Sequence, residues 1–128
     1  MSGDNSENPA VTGQIRFGDA RDASQYDGLA PHLVVTSPPY WSIKDYGTSD
    51  QIGATQDYES YIADLDEVWG HCVRVLRPGC KICINVGDQF LRAKEHGRYR
   101  VLPIRERIIS GMTALGLDYM GAIIWRKL

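Results

Sequence analysis

The chain has 128 residues, of which 43% are hydrophobic and 23% charged, and its formal net charge is −2. This size and composition suit one soluble globular domain with a hydrophobic core. They argue against a membrane span, since no apolar run reaches bilayer length, and against secretion, since polar residues 1–12 lack the apolar centre of a signal peptide and are predicted to form a disordered leader.

The first half of the chain contains two predicted strands and a loop. Residues 14–17 form a short strand candidate that is followed directly by glycine. Residues 33–36 form an apolar, β-branched run that stops before two prolines, a pattern typical of a buried strand. Residues 41–56 are rich in Gly, Ser, Thr and Asp, which indicates a loop.

A long amphipathic helix is predicted to begin after Asp57, a residue type favoured at the N-cap, and to end at the Arg-Pro-Gly sequence of residues 77–79. Apolar residues at three- and four-residue steps give this helix one buried stripe. The stripe consists of Tyr61, Ile62, Leu65, Val68, Trp69, Cys72, Val73 and Leu76. Residues 80–86 then form a strand candidate, and the polar residues 87–100 are predicted to form a loop.

A second helix is predicted from Pro103, which suits a first helical turn, to Gly116, and a last strand at residues 118–125. The resulting order is strand, strand, helix, strand, helix, strand. Helices that alternate with buried strands predict an α/β fold with a mostly parallel sheet and helices on both faces.

The three cysteines, with no secretion signal, indicate reduced thiols in a cytoplasmic protein. Cys80 and Cys83 have the CxxC spacing of metal and redox sites, but the pair stands alone in an apolar run and is therefore interpreted as core. His32 and His71 show no metal-ligand spacing, so no metal is expected.

Charge is distributed unevenly along the chain. Residues 1–70 carry 3 basic and 12 acidic side chains, whereas residues 71–128 carry 11 basic and 4 acidic ones. This asymmetry favours a polyanion-facing surface in the second half, although solvated arginines are an alternative. A basic cluster in the predicted loop would either contact phosphates or form a solvated loop surface. It consists of Arg92, Lys94, His96, Arg98 and Arg100.

The segment Thr36-Ser37-Pro38-Pro39-Tyr40 follows the second predicted strand, and ligands of open α/β sheets bind beyond the carboxyl ends of strands. Two consecutive prolines fix the backbone and remove two N–H donors. Carbonyl acceptors, the Ser37 hydroxyl and aromatic rings remain. This combination suits a planar group that bears an amine.

Ser37-Pro38-Pro39-Tyr40 resembles the catalytic motif of DNA methyltransferases that modify exocyclic amino nitrogens. Further segments match that family in order and spacing, over roughly residues 14 to 127. They are Phe17-Gly18-Asp19-Ala20, Leu76-Arg77-Pro78-Gly79, Asn85-Val86-Gly87-Asp88 and Ile123-Ile124-Trp125-Arg126-Lys127. The resemblance implies a Rossmann-like methyltransferase sheet and S-adenosylmethionine as cofactor.

The resemblance also implies roles for individual residues. Tyr40 would stack on a flipped base, and Ser37 and the Pro38 carbonyl, with Pro39 fixing the turn, would accept hydrogen bonds from its amine. Asp19 would accept a hydrogen bond from the cofactor adenine. Ala20, Thr36 and Ser37 would lie beside the cofactor. Independently of the resemblance, Lys44 and Tyr46 are candidates for contact with DNA because they lie on the predicted loop after the motif. A serine at the first motif position favours cytosine N4 over adenine N6.

The family also uses a glycine-rich turn, Phe-x-Gly-x-Gly, which the 128 residues lack. The order of motifs resembles the N-terminal part of the permuted, beta-group members, in which a target-recognition region and the glycine-rich part come later. Residues 13–128 are therefore expected to be the catalytic segment of a partial methyltransferase sheet. Such a segment is expected to need a complementary half or to form a homodimer.

Two other interpretations remain open. The chain would be a catalytically inactive truncated or split-subunit module that binds a partner chain or nucleic acid. Alternatively, its substrate would be an amine of RNA, protein or a small molecule, since related motifs also serve those substrates.

Overall fold

A computed structural model describes residues 10–41 and 50–127. Most of the predicted leader therefore lies outside the described residues. In chain order the elements are a 3₁₀ helix Ala23–Tyr26, β1 Leu33–Thr36, α1 Tyr58–Val75, β2 Lys81–Ile84, β3 Gln89–Leu91, α2 Ala93–His96, β4 Arg100–Leu102 and α3 Ile104–Ala114. Within the described residues, no helix has the length and apolar character needed to cross a membrane.

The central structural unit is a parallel pair of strands. β1 pairs with β2 in the register Leu33 to Lys81 through Thr36 to Ile84. The Asn85 N–H donates to the Thr36 carbonyl at 2.8 Å and so extends the pairing by one residue beyond β2. Helices connected to a parallel strand pair confirm the predicted α/β class and the partial Rossmann-like architecture.

Helix α1 forms where its sequence predicts. The Asp57 carboxylate accepts the Ser60 N–H at 2.9 Å, which satisfies a backbone donor of the first turn. The helix ends at Val75, with Leu76 as its C-cap, just before Pro78. Its buried residues are Tyr61, Ile62, Leu65, Trp69 and Cys72, all members of the predicted stripe.

The hydrophobic core lies between α1, α3 and one face of the strand pair. Ile104, Ile108 and Met112 of α3 are buried against the α1 stripe, and Ile82 and Ile84 of β2 pack on the same cluster. On the opposite face Leu33, Val35 and Cys83 are exposed. The prediction of helices on both faces is thus fulfilled on one face only in the described part of the chain.

Two predicted strands are absent from the described residues. Residues 14–17 and 118–125 belong to no ladder, and their apolar side chains, including Phe17 and Ile123, are exposed. The first segment is held by a side chain instead, since Arg16 donates to the Gln25 carbonyl at 2.8 Å. Both predictions were wrong because a strand needs a hydrogen-bonded neighbour, and sequence pattern does not supply one.

The predicted loop at residues 87–100 was also wrong in part. β3 pairs with β4 in an antiparallel hairpin that carries α2 at its tip. The hairpin is anchored by buried Gln89 and Leu91. Of the two CxxC cysteines, Cys80 is half-buried and Cys83 is exposed, so the interpretation of both as core residues was wrong for Cys83.

Truncation of the core should distinguish the two faces of the strand pair. Leu65 is 1% exposed, and Leu65→Ala should lower the free energy of unfolding by about 2–5 kcal/mol because it leaves a cavity. Val35 is 71% exposed, and Val35→Thr should change the free energy of unfolding by less than about 0.5 kcal/mol. Urea denaturation followed by circular dichroism measures both. Equal losses would contradict this description of the core.

Candidate functional site

The segment Thr36–Tyr40 follows β1 at its carboxyl end. It is called the target-amine turn here after the role that the sequence predicts for it. Thr36 is the last residue of the ladder, and Ser37 is exposed while Pro38 is buried. Pro38 and Pro39 have no N–H to continue the pairing. The chain therefore leaves the sheet here with its serine hydroxyl accessible and Tyr40 half-buried.

Helix α1 contacts this turn through Tyr61. The Tyr61 hydroxyl donates to the Pro39 carbonyl at 2.9 Å, and the Tyr61 side chain is fully buried. Gly53, at φ +88°, lies against the end of the same turn, since a Cβ there would be 3.4 Å from the Tyr40 carbonyl oxygen and 3.2 Å from the Tyr61 ring. A larger residue at position 53 would push the turn away from the helix.

The residue after the turn is fixed as well. The Trp41 indole N–H donates to the Gln56 carbonyl at 2.7 Å. The Trp41 ring packs edge-on against Tyr58, with centroids 5.7 Å apart. Both contacts fix Trp41, which follows the turn, against residues at the start of α1.

Asp19 lies on the described segment that precedes the 3₁₀ helix. Its carboxylate accepts hydrogen bonds from the Arg21 side chain, the shortest at 2.6 Å, and from the Arg21 backbone N–H at 2.9 Å. These hydrogen bonds hold the pKa of the Asp19 carboxyl below its usual range. The neighbouring Ala20 carbonyl accepts the Tyr26 hydroxyl at 2.8 Å. Asp19 is thus kept as an ionised acceptor.

Arg21 links Asp19 to the loop behind the target-amine turn. Its guanidinium donates to Asp64 of α1 at 2.8 Å, and Asp64 also accepts the Gln56 side-chain amide at 2.6 Å. The Gln56 amide oxygen in turn accepts the Gly53 N–H at 2.9 Å. A continuous hydrogen-bonded network therefore runs from Asp19 to Gln56, whose backbone carbonyl accepts the indole N–H of Trp41, the residue directly after the target-amine turn.

These supporting residues were not predicted from the sequence. Tyr61 was counted only for its apolar ring, and its hydroxyl gave no separate signal. Arg21, Gln56 and Asp64 come together only through the fold, across 43 residues between Arg21 and Asp64. No spacing rule identifies such a contact before the helix is placed.

A cavity of about 450 Å³ lies beside Asp19. This volume is within the range of small-molecule sites. Its lining residues are Gln14, Arg16, Gly18, Asp19, Ala20, Gln25, Tyr26 and Leu29. The predicted cofactor residues Asp19 and Ala20 thus share a cavity, while Thr36 and Ser37 do not line it.

The predicted DNA-contacting residues fall into two groups. Arg92, Lys94, Arg98 and Arg100 are all exposed on the β3–β4 hairpin or its α2 tip, as is His96. Lys44 and Tyr46 lie outside the described residues. No group of three or more His, Cys, Asp or Glu residues suited to a metal ion occurs in residues 10–41 and 50–127.

Comparison with known proteins yields one family. Residues 31–128 match the family model described as DNA methylase, N6_N4_Mtase. Type II methyltransferase M.SmaI of Serratia marcescens is 41% identical over 60% of this chain and 27% of its own length. Type II methyltransferase M.MjaI of Methanocaldococcus jannaschii is 30% identical over 89% of this chain and 45% of its own length.

A solved structure agrees with these sequence relatives. A Thermus thermophilus protein assigned to the DNA modification methylases, in complex with S-adenosyl-L-methionine, is 34% identical with a TM-score of 0.62. The match covers 85% of this chain and 47% of that one. The chain therefore spans less than half the length of each of these relatives.

The Tyr61 hydroxyl should stabilise the folded chain through the target-amine turn. Tyr61→Phe should lower the free energy of unfolding by about 1 kcal/mol, because the Pro39 carbonyl loses its donor. The matched control is Tyr58→Phe on the same helix, whose buried hydroxyl has no partner among the described residues. Tyr58→Phe should leave the free energy of unfolding unchanged or raise it. Equal effects of the two substitutions in urea denaturation would contradict the role of Tyr61.

The Asp19–Arg21 pair should make stability depend on pH in the acid range. The Asp19 pKa is depressed in the folded chain, so the pair stabilises above the ordinary carboxyl pKa and loses its effect as pH falls through the folded value. Arg21→Gln should raise the Asp19 pKa in a carbon-detected NMR titration. An Asp19 pKa that stays unchanged in Arg21→Gln would exclude Arg21 as the cause.

Proposed function

We propose, from the premise that this chain belongs to the DNA methylase family, that it supplies the target-amine part of an S-adenosylmethionine-dependent DNA amino-methyltransferase. The observation that supports this most is the target-amine turn at the carboxyl end of β1, with its serine exposed and its Pro39 carbonyl held by buried Tyr61. Catalysis of this kind depends on position, and a fixed turn provides it.

In the proposed reaction a base leaves the duplex and enters the site beside the turn. Its amino group donates hydrogen bonds to the Ser37 hydroxyl and the Pro38 carbonyl. Tyr40 stacks on the face of the base. The two acceptors polarise the N–H bonds and direct the lone pair of the amine nitrogen, which takes the methyl group directly, so no covalent intermediate with the protein is required. The proton that the methylated nitrogen then releases passes to solvent water.

We propose that the nucleoside part of the cofactor binds in the cavity beside Asp19. The cavity beside Asp19 has a suitable volume of about 450 Å³, and Arg21 keeps the Asp19 carboxylate ionised to accept an adenine amine. Ala20 borders the same cavity. In the proposal Thr36 and Ser37 lie near the methionine part. When bound, the cofactor supplies a methyl group from its sulfonium.

We propose cytosine N4 as the target atom in preference to adenine N6. The reason is Ser37, because a serine at the first position of the motif is commoner among the cytosine-N4 members of the family. The Type II methyltransferases among the relatives further favour a role in restriction-modification, and therefore a cytoplasmic enzyme acting on DNA.

The proposal includes a complementary methyltransferase part that packs on the open face of the strand pair. Leu33 and Val35 are 54% and 71% exposed there, which is a large apolar surface for a sheet interior. The 128 residues also contain no Phe-x-Gly-x-Gly turn. The complement is a further segment of the same protein, a separate polypeptide, or a second copy that forms a homodimer.

The test is methyl transfer to DNA by this chain mixed with a polypeptide that carries the family's glycine-rich turn and recognition region. Tritium from methyl-labelled S-adenosylmethionine should enter unmethylated plasmid DNA. Ser37→Ala and Tyr40→Ala should each lower kcat by about a hundredfold, because one positioned contact to the reacting base is lost. Ser110→Ala, at an exposed serine of α3, is the matched control and should retain full activity.

Full activity of Ser37→Ala would exclude the proposed site. Absence of transfer with every complementary polypeptide, together with stable binding of such a polypeptide, would favour the alternative of an inactive module. Isothermal calorimetry adds a separate readout. Micromolar S-adenosylmethionine binding by this chain alone would contradict the need for a complement.

A further inference from the structure

The β3–β4 hairpin presents a pair of exposed aromatic rings. Phe90 and Tyr99 are 61% and 62% exposed, yet their rings stack with centroids 6.4 Å apart and planes at 24°. Alternation along β3 explains this, since Gln89 and Leu91 face the core while Phe90 faces outward. The buried face fixes the hairpin, and the exposed face carries the two rings.

The same hairpin carries cations that form no ion pair with a carboxylate in the part of the chain that the structure describes. Arg92, Lys94, Arg98 and Arg100 are exposed, and none of them has a carboxylate partner among the described residues. The other arginines near acidic groups behave differently: Arg21, Arg105 and Arg107 each pair with a carboxylate. Glu95 is the single acidic residue between Gln89 and Leu102. The hairpin therefore carries net positive charge.

The hairpin also begins close to the target-amine turn. The Asn85 N–H bonds the Thr36 carbonyl at 2.8 Å, directly before Ser37. Four residues further on, β3 starts at Gln89. Four extended residues span at most about 14 Å, so the base of the hairpin lies within that distance of the sheet edge that carries the turn.

We propose that the Gln89–Leu102 hairpin is a DNA-binding finger, in which the unpaired cations contact backbone phosphates and the Phe90–Tyr99 pair stacks on a nucleobase exposed beside the flipped target. Aromatic stacking on bases is favourable for any base that has left its own stack, and arginine and lysine supply the phosphate contacts. This inference rests on the proposed function, since it takes DNA with an extruded base as the ligand.

The observations favour DNA over an acidic protein surface. An acidic partner would be bound by the cations alone and would not require two rings held in a stack. Rings flanked by unpaired arginines match the stacking platforms and basic grooves of proteins that bind unstacked bases. The two contributions also have different salt dependence, which makes them separable by experiment.

The experiment measures DNA affinity of the complex between this chain and its complementary polypeptide. The probe is a fluorescein-labelled duplex with one unpaired cytosine, which is extruded at little cost. Anisotropy titrations over a series of NaCl concentrations give the Kd and its salt slope. Each variant is first checked by circular dichroism melting, and binding of the complementary polypeptide is measured in parallel by calorimetry.

The two kinds of hairpin variant should differ in their salt dependence. Phe90→Ala and Tyr99→Ala should each raise Kd by roughly fivefold to a hundredfold with an unchanged salt slope. Arg92→Gln and Arg98→Gln should each reduce the salt slope by about one unit. Tyr119→Ala, at a tyrosine 54% exposed outside the hairpin, and Arg105→Gln, whose arginine is paired with Glu106, are the matched controls and should bind like the unaltered chain.

Hairpin variants that bind DNA like their controls would overturn the finger, even if methyl transfer proves to depend on Ser37. Hairpin variants that lose the complementary polypeptide and keep their DNA affinity would overturn it too, because the surface would then be a protein interface. Weakened DNA binding by the hairpin variants, with methyl transfer insensitive to Ser37→Ala, would support the finger and exclude the proposed site.

Discussion

The parallel pairing of β1 with β2 is the constraint on which the arrangement of the site depends. The ladder extends through the bond from Asn85 N–H to the Thr36 carbonyl, and the prolines that follow Ser37 offer no N–H to carry it further. The end of the β1–β2 pairing at Thr36 therefore determines where the chain leaves the sheet. It also places the start of the β3–β4 hairpin on the same edge, because β2 leads into the hairpin within a few residues.

Helix α1 has a double function in this arrangement. Its apolar stripe forms the core with α3 and β2, and its polar groups hold the two turns of the candidate site. Tyr61 combines both functions in one residue, with a ring in the core and a hydroxyl on the Pro39 carbonyl. Packing of the core and position of the turn are therefore coupled, so core substitutions near Tyr61 should also affect the site.

Local sequence pattern predicted the elements whose causes are local. β1, α1 and α3 follow from β-branched composition, the Asp57 cap and helical periodicity, and each is present within a few residues of its prediction. The strands at residues 14–17 and 118–125 failed because a strand also needs a neighbour. The hairpin was not predicted because its sequence is mostly polar and basic. The alternation of buried and exposed side chains is short, at Gln89, Phe90 and Leu91.

The candidate site likewise contains features that local sequence predicts and features that depend on the fold. The position of the turn could be predicted because its consecutive residues directly follow an apolar strand, and its chemical role stays a prediction. The network of Arg21, Asp64 and Gln56 could not be predicted, because it joins three distant segments through side chains whose positions depend on the fold. The hairpin arginines could be recognised in the sequence as a basic cluster. Only the structure shows that they lack a carboxylate partner within residues 10–41 and 50–127, unlike Arg105 and Arg107.

We propose above all that the turn from Thr36 to Tyr40 receives an exocyclic amine of a DNA base. The most direct measurement is mass spectrometry of nucleosides from DNA treated with the complex and deuterated-methyl S-adenosylmethionine. The label should lie on an exocyclic amino nitrogen, as N4-methylcytosine. Label on carbon 5 of cytosine would contradict the account, because carbon methylation proceeds through a covalent cysteine adduct that this turn does not provide.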